Sequence, residues 1–578
     1  MISEPLVPVS VRDGGRILTF WNIVAALLVL GILVFFAEAS RGVGQTLAEL
    51  RATPVSLSPA NLPEYAARTS LRMLAAMGLS LLFTFTYATW AAKSRRAEVL
   101  LIPLLDILQS VPILGFLSVT VVFFMSLAPG KVLGAEFAAI FAIFTSQAWN
   151  MAFSFYQSLR TVPEELVEAS RSFGLSPWMR FWRLEVPFAM PPLVWNMMMS
   201  MSGGWFFVVA SEAISVGDTT VALPGIGSYI ALAIQQRDLA GIRWAIGAML
   251  VVILIYDQLL FRPLVAWADR FRFEQETGVT PPRSWALTML RGSWLGALLK
   301  GLSGFTWRWS FPGAPKRSNP NMKRKGQDKA ARWVDLAWYG AAAAIAATAF
   351  WKVAVFLPAG ISFSEVKEAI LLGLATMARV FVLIALASAI WVPVGVWVGL
   401  RPGMASLAQP IAQFLAAFPA NLLFPIVVSG IVALQLNPNI WLSPLMILGT
   451  QWYILFNVIA GASMIPSEWR DVGTNLRVRG WVWWRKIALP AIFPFYVTGA
   501  ITASGGSWNA SIVAEVASWG DKHLQAKGLG AYIAQATETG DYHRIVLGIV
   551  VMSVLVTIIN RAFWRPLYWY AERKFRLS

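Results

Sequence analysis

Few residues in this chain are equipped for bond-making chemistry. Its 578 residues include no cysteine and only two histidines, His523 and His543. A thiolate nucleophile, a disulfide framework and a thiolate metal site are therefore excluded. The histidines fall in one predicted loop with Asp521 and Asp541 nearby. A metal site can be drawn from these four, but solvated loop histidines are the simpler reading, and no metal is expected. No phosphate loop of the form G-x-x-x-x-G-K-[ST] occurs, so the chain is not expected to hydrolyse ATP. What remains are ionisable groups in apolar surroundings. Glu212 and Glu515 each stand seven residues after a tryptophan, Trp205 or Trp508, and Arg72 and Arg379 lie upstream of them.

The surroundings set the value of these charges. The chain is 57% hydrophobic and 13% charged, against about 45–50% and about 25% in soluble domains. Its apolar runs reach about 20 residues, the length that crosses a bilayer as helix. This pattern describes an all-α polytopic membrane protein. Roughly twelve spans can be drawn, at about 19–37, 70–92, 99–127, 134–157, 187–211, 241–261, 334–357, 369–399, 407–435, 440–462, 488–513 and 544–563. With both termini in the cytoplasm, most of the 47 Lys and Arg fall in cytoplasmic segments, as the positive-inside rule requires. The formal charge of +17 thus records orientation and not nucleic-acid binding. The polar start, with no small-residue cleavage site after the first apolar run, reads as an uncleaved anchor.

An acid in or near a membrane is costly and a functional candidate. Glu212 and Glu515 fall at the outer ends of their spans, where solvation or structural pairing competes with a role in a gate or in docking. Arg72 and Arg379 could pair with them, guide an anion or snorkel to the interface, and snorkelling is the leading reading. Gly203-Gly204 and Gly505-Gly506 allow close helix approach. Trp205, Trp508 and Asn509 then fall where two fifth spans should face each other. The indoles could gate a path or simply pack, and Asn509 is the one polar departure.

That pairing comes from an internal repeat. At an offset of 303, Pro163 matches Pro466, Pro187 matches Pro490, and Gly225, Gly227 and Tyr229 match Gly528, Gly530 and Tyr532. Upstream the offset is 307, pairing Thr69 with Thr376, Arg72 with Arg379, Pro103 with Pro410 and Pro112 with Pro419. Six spans per half give both halves the same orientation, hence a parallel repeat about an axis along the membrane normal. The expected organisation is a first half at 1–261, a basic linker at 262–332 and a second half at 333–578. The linker carries 14 Lys and Arg against 4 Asp and Glu. Its apolar middle, with Trp285 and Trp294, could lie in the membrane interface, and its end reads as a flexible tether.

The repeat also duplicates a charged insert. Between about 160 and 186, "PEELVEASRSF" opens with Pro and acids in the first turn. Leu166, Ala169 and Phe173 give a modest apolar face, and Gly174 supplies a stop. The second copy spans about 463–489. Glu168-Ala169-Ser170, Gly174 and Leu184-Glu185-Val186-Pro187 together closely resemble the "EAA" loop of binding-protein-dependent ABC importer permeases. The second copy keeps the tail, Ile487-Ala488-Leu489-Pro490, but departs at the head, with Asp471-Val472-Gly473 and with Arg477 in place of Gly.

The resemblance implies a type I ABC importer permease with both halves in one chain, in the bacterial inner membrane. It implies that Glu164, Glu165, Glu168, Ala169 and Gly174, with Glu468, Asp471 and Gly473, couple the spans to two ATP-binding subunits on the cytoplasmic side. ATP and Mg would reside on those partners, and an external solute-binding protein would deliver a small solute. "SGGWFFVVASE" and "SGGSWNASIVAE", each followed by Gly-x-Gly, look closest to the branch importing nitrate, sulfonates, taurine or bicarbonate. A twelve-span secondary transporter of the major facilitator plan is the alternative. It leaves the two inserts unexplained.

Overall fold

In hydrocarbon, every backbone N–H and C=O must be satisfied within its own segment, which leaves helix as the form open to a long apolar run. A computed structural model describes residues 31, 45–52, 54–110, 113–216, 219–271, 284–292, 327–465 and 467–575. The expected span at 19–37, apart from residue 31, lies outside the described residues, as does most of the linker, Trp294 included. Among the described residues, eight helices are long and apolar enough to cross a membrane, or nine if the bent pair Pro438–Leu448 and Gln451–Ser463 is one span. This is a multi-pass helical membrane protein.

The main elements of the first repeat are α1 (Leu62–Phe83), α2 (Arg95–Ser110), α3 (Ile113–Leu127), α4 (Val132–Arg160), α5 (Glu164–Ser172), α6 (Val186–Glu212), β1 (Ala213–Val216), β2 (Thr219–Ala222), α7 (Ile226–Gln235) and α8 (Leu239–Tyr256). Those of the second are α9 (Phe363–Gly399), α10 (Pro402–Ala417), α11 (Phe424–Ala433), α12 (Gln451–Ser463), α13 (Ser467–Asn475), α14 (Leu489–Ala514), β3 (Val516–Trp519), β4 (Lys522–Gln525), α15 (Leu529–Glu538) and α16 (Tyr542–Ile559).

Two expected spans are not single helices. The 99–127 run divides into α2 and α3, of 16 and 15 residues, each short of the roughly 20 that a bilayer needs. The 407–435 run divides into α10, a 3₁₀ turn at Ala420–Leu422 and α11. Pro419 stands at the second break, and residues 111–112 between α2 and α3 lie outside the described residues. Proline lacks the N–H and holds the preceding residue out of the helical region. Phe418 accordingly is extended, with φ −73° and ψ 129°.

The chain forms two compact units. The smaller contains 1–39, 162–194 and 254–318. In it, helix Trp285–Gly292 packs against helix Arg262–Ala268, with Ala286 and Met289 buried. Trp285 donates its indole N–H to Gln258 Oε1 at 3.2 Å. This part of the linker packs one face on protein, while Trp285 stays half exposed.

The larger unit contains 40–161, 195–253 and 319–578. Within it α1 runs along α4, and both α9 and α14 run along α12. Glycines permit this approach. A Cβ on Gly204 would lie 2.6 Å from Gln147 Nε2 in α4, and one on Gly506 would lie 2.5 Å from Thr450 Cγ2. The small residues thus bring α6 and α14 against the preceding span of their own half.

Two antiparallel hairpins, β1–β2 and β3–β4, interrupt the helices at the repeat offset. Sequence patterning gave no sign of strands only four residues long. They also separate the two histidines: His523 is in β4 and His543 opens α16 beyond α15. His543 stacks on Phe356 at 4.3 Å between ring centres. The second hairpin reaches the first half, because Gly520 N donates to Ile234 O at 3.1 Å. Beside this bond Arg237 pairs with Asp521 at 2.8 Å. Arg237 holds φ +56° there, whereas its repeat counterpart Gly540 has φ +67°.

Candidate functional site

Both fifth-span acids end in a clasp. Glu212 closes α6, and its carboxylate accepts from Thr69 Oγ1 and Arg72 Nη1, both at 2.6 Å, and from Gly227 N at 2.6 Å. Arg72 turns its remaining edge to Glu136, with Nε and Nη2 donating at 2.6 and 2.7 Å. Its Nη1 also donates to Pro224 O at 3.1 Å. The Gly-x-Gly turn wraps the acid closely. A Cβ on Gly225 would fall 2.3 Å from the Glu212 carboxyl carbon, and one on Gly227 would fall 2.2 Å from Val209 O. Thr69 Oγ1 receives Ile226 N at 3.1 Å. Helices α1, α4, α6 and α7 are tied together at one point.

The second half repeats the clasp with one part changed. Glu515 accepts from Thr376 Oγ1 at 2.8 Å, Arg379 Nη1 at 3.0 Å and Ala531 N at 3.2 Å. Leu529 N donates to Thr376 Oγ1 at 2.9 Å. Asn439 stands where the first half has Glu136, and it accepts from Lys527 N at 2.8 Å. Arg379 thus has one carboxylate where Arg72 has two. Its side chain is 16% exposed against 3% for Arg72.

Snorkelling is therefore not what these arginines do: fixed partners hold them inside the protein. Glu212 and Glu515 are likewise buried and are consumed by pairing. Thr69 and Thr376 were visible as matched positions without an assigned role, and pairing with the acids was one of the readings open to both arginines. Glu136 was not, since the repeat has Asn439 there.

A cavity of about 110 Å³ opens between α6 and α14. Gly203, Phe206 and Phe207 line one side, and their repeat counterparts Gly506, Asn509 and Ala510 line the other. Phe418, Phe424 and Tyr453 are further aromatic walls, and among the described residues no charged side chain takes part. Trp205 and Trp508, the expected gate, are buried one residue away and are not on this wall. Asn509 is on it. Its Oδ1 accepts Ile113 N at 2.9 Å, satisfying a free donor at the start of α3. Asn421 Nδ2 donates to Phe206 O at 3.1 Å, and Ser202 Oγ donates to Ala416 O.

Beyond the clasp, matched tyrosines anchor α7 and α15. Tyr229 OH donates to Leu57 O at 2.9 Å, and Tyr532 OH donates to Glu365 Oε1 at 3.1 Å. Burial, reinforced by the Glu365 carboxylate, pushes the Tyr532 hydroxyl well above the usual phenol range.

The inserts form helices as their caps dictate. Helix α5 begins after Pro163 and ends near Gly174, at φ +71°, with Leu175 N donating to Ser170 O at 3.0 Å. In the second copy Arg477 takes φ +52° and Val478 N donates to Gly473 O at 2.8 Å. The turn is kept although its glycine is not. The expected apolar face is displaced. Ser170 is buried, while Ala169 and Phe173 are exposed, Phe173 to 83%. Gly473 matches Ser170, and a Cβ there would meet Ile487 Cδ1 at 3.1 Å, a tight contact that a small shift of that side chain relieves. Leu476 matches Phe173 and is 71% exposed. Glu164, Glu165, Glu168, Glu468 and Asp471 all face outward.

The family model described as "Binding-protein-dependent transport system inner membrane component" matches the chain twice, over residues 62–267 and 391–564. Among individual proteins, the chain is similar to the bicarbonate transport system permease protein CmpB of Synechococcus elongatus, at 29% identity over 188 residues, 32% of this chain and 64% of the relative. It is similar to the nitrate import permease protein NrtB of Synechocystis sp., at 25% over 202 residues, 35% of this chain and 70% of the relative. It is also similar to the glycine betaine/proline betaine transport system permease protein ProW of Escherichia coli, at 28% over 233 residues, 40% of this chain and 61% of the relative. The chain thus spans less than two thirds of the length of CmpB and of ProW.

Proposed function

The chain belongs to the family of inner membrane components of binding-protein-dependent transport systems, and from that premise we propose that it supplies both halves of an ABC importer's translocation path. The observation that carries this reading is the uncharged cavity bounded by matched residues of α6 and α14. A path between two repeats, near their common axis, should be walled by the same positions of each. Gly203 with Gly506, Phe206 with Asn509 and Phe207 with Ala510 meet that condition, and the rest of the wall comes mostly from the second half. Phe206, Asn509 and their neighbours form the gate, with Trp205 and Trp508 packed behind as its backing.

Two ATP-binding subunits drive the cycle through α5 and α13, and an external binding protein delivers the solute. The paired exposed tips, Phe173 and Leu476, support this role. A large apolar side chain in water at both repeat positions is what a protein-docking knob presents. We take both inserts and both termini to face the cytoplasm, and residues 262–332 to be the link between the halves.

The solute is a small anion of the nitrate, sulfonate, taurine or bicarbonate kind; the names of CmpB and NrtB support bicarbonate and nitrate, whereas that of ProW points to betaines. The clasps favour this reading. Each acid that would repel an anion is paired with arginine and lies off the cavity wall. An uncharged wall binds an anion weakly, which suits transit after delivery.

The test is co-purification with the cognate ATPase, followed by uptake in proteoliposomes. ATP-dependent uptake requiring the binding protein is expected. Uptake driven by an ion gradient without ATP would instead favour a secondary transporter.

A further inference from the structure

The first half carries a charged cleft that the repeat does not explain. It lies where α2 begins and α4 ends. Ala92, Lys93, Arg95, Glu98, Val99 and Arg160 line about 590 Å³. Glu98 accepts from Tyr156 OH at 2.6 Å and pairs with Arg160 at 3.7 Å. Among the lining residues, three cations stand beside one acid. Its floor is fixed: Ala91, Ala97 and Leu101 are buried under Tyr87, Ile102 and Tyr156, and Tyr87 OH donates to Leu101 O at 2.7 Å.

One side of α2 continues away from the cleft. Val99 and Pro103 follow Arg95 at helical spacing, Leu104 adjoins Pro103, and all three are exposed. The surface is cationic at its end and apolar below, as a phospholipid is anionic at its head and apolar below. The repeat serves as an internal control. Leu400, Pro402, Ala405 and Ser463 occupy the positions of Lys93, Arg95, Glu98 and Arg160. The second half packs its own helices without charges at these four positions, although Arg401 stands in the matching loop, so the cluster is particular to the first half.

We propose that this cleft binds the phosphate of an anionic membrane lipid. Lys93, Arg95 and Arg160 surround the phosphate, and an acyl chain lies along Val99, Pro103 and Leu104. Basic pockets between membrane helices hold anionic head groups in this way. The site does not depend on which solute is carried. On the proposed topology it draws on the inner leaflet.

The test uses the purified full chain in phosphatidylcholine nanodiscs titrated with phosphatidylglycerol and read by native mass spectrometry. Saturable binding is expected, with roughly fivefold weaker affinity in Arg95→Gln, about the effect of one cation near a lipid surface. The Lys93→Gln/Arg95→Gln/Arg160→Gln variant should lose saturation. Arg401→Gln, which removes a cation from the matching loop of the second half, should change nothing. Equal affinity in the triple variant and the parent would overturn the site. If inorganic phosphate at millimolar concentration displaces the lipid, the ligand is a free anion and the lipid assignment fails. The single Arg95→Gln change, at an exposed side chain, decides the matter alone if the triple variant does not fold.

Discussion

Arg72 and Arg379 occupy equivalent places in the repeat but unequal surroundings, and the difference can be measured. Removing one member of a buried ion pair costs about 3–5 kcal/mol, because the other charge is left unpaired. Arg72→Met strands two carboxylates and should fall in or above that range. Arg379→Met strands one, beside a partly open side chain, and should cost clearly less. Melting of the purified protein in detergent compares them, and equal losses would contradict the asymmetry of the clasps. Adding Glu136→Gln and Glu212→Gln to Arg72→Met should recover much of the stability. At Arg477 the sign reverses. A non-glycine residue at φ +52° is strained by about 1–2 kcal/mol, part of which glycine returns as chain entropy. Arg477→Gly should therefore raise stability by roughly 0.5–1 kcal/mol, read as a higher melting temperature.

At the scale of elements, α5 and α13 should differ in tolerance. Glu168→Lys is expected to leave insertion intact while uncoupling ATP hydrolysis from uptake. Matched alanine changes at Glu168 and Asp471 should cost unequal uptake, since the second head departs from the family pattern. Phe173→Ala should weaken ATPase co-purification severalfold, and normal recovery of the ATPase would remove the knob from the interface. Much of this was legible before any coordinates. Long apolar runs announce helices, and Pro163 and Gly174 announce the ends of α5. The broken spans were less legible, because α10 and α11 are both apolar and Pro419 is the local sign of the division. The hairpins were not legible at all, and of the clasps only the pairing of the two arginines with the two acids could be drawn, as one reading among three. Four-residue strands carry too little alternation, and the Arg72–Glu136 pair joins positions 64 residues apart that no local pattern connects.

For the whole molecule, the wall of the path is the first thing to test. Phe206→Cys with Asn509→Cys, on a background without native cysteine, should be joined by a short bifunctional thiol reagent. Trp205→Cys with Trp508→Cys should react poorly, because both positions are buried. The reverse result would return the gate to the indoles. Joining 206 to 509 should also fall when ATP and binding protein drive the outward-open state.

Asn509 has a wider meaning. In a transporter assembled from two copies of one gene product, every substitution arrives twice, and a useful change on one side must be harmless on the other. A chain that carries both copies escapes this rule. Its wall can hold an amide opposite a benzyl ring, as Asn509 stands opposite Phe206. Its knobs can drift apart, as Arg477 has from Gly174, provided that one remains fully engaged. Such a protein is free to divide labour: one half can specialise in driving the cycle while the other shapes the passage. Symmetrising it should reveal the division. Asn509→Phe removes the acceptor for Ile113 N and should disturb α3, whereas Phe206→Asn adds a second amide and should alter the rate or selectivity of uptake with little loss of fold.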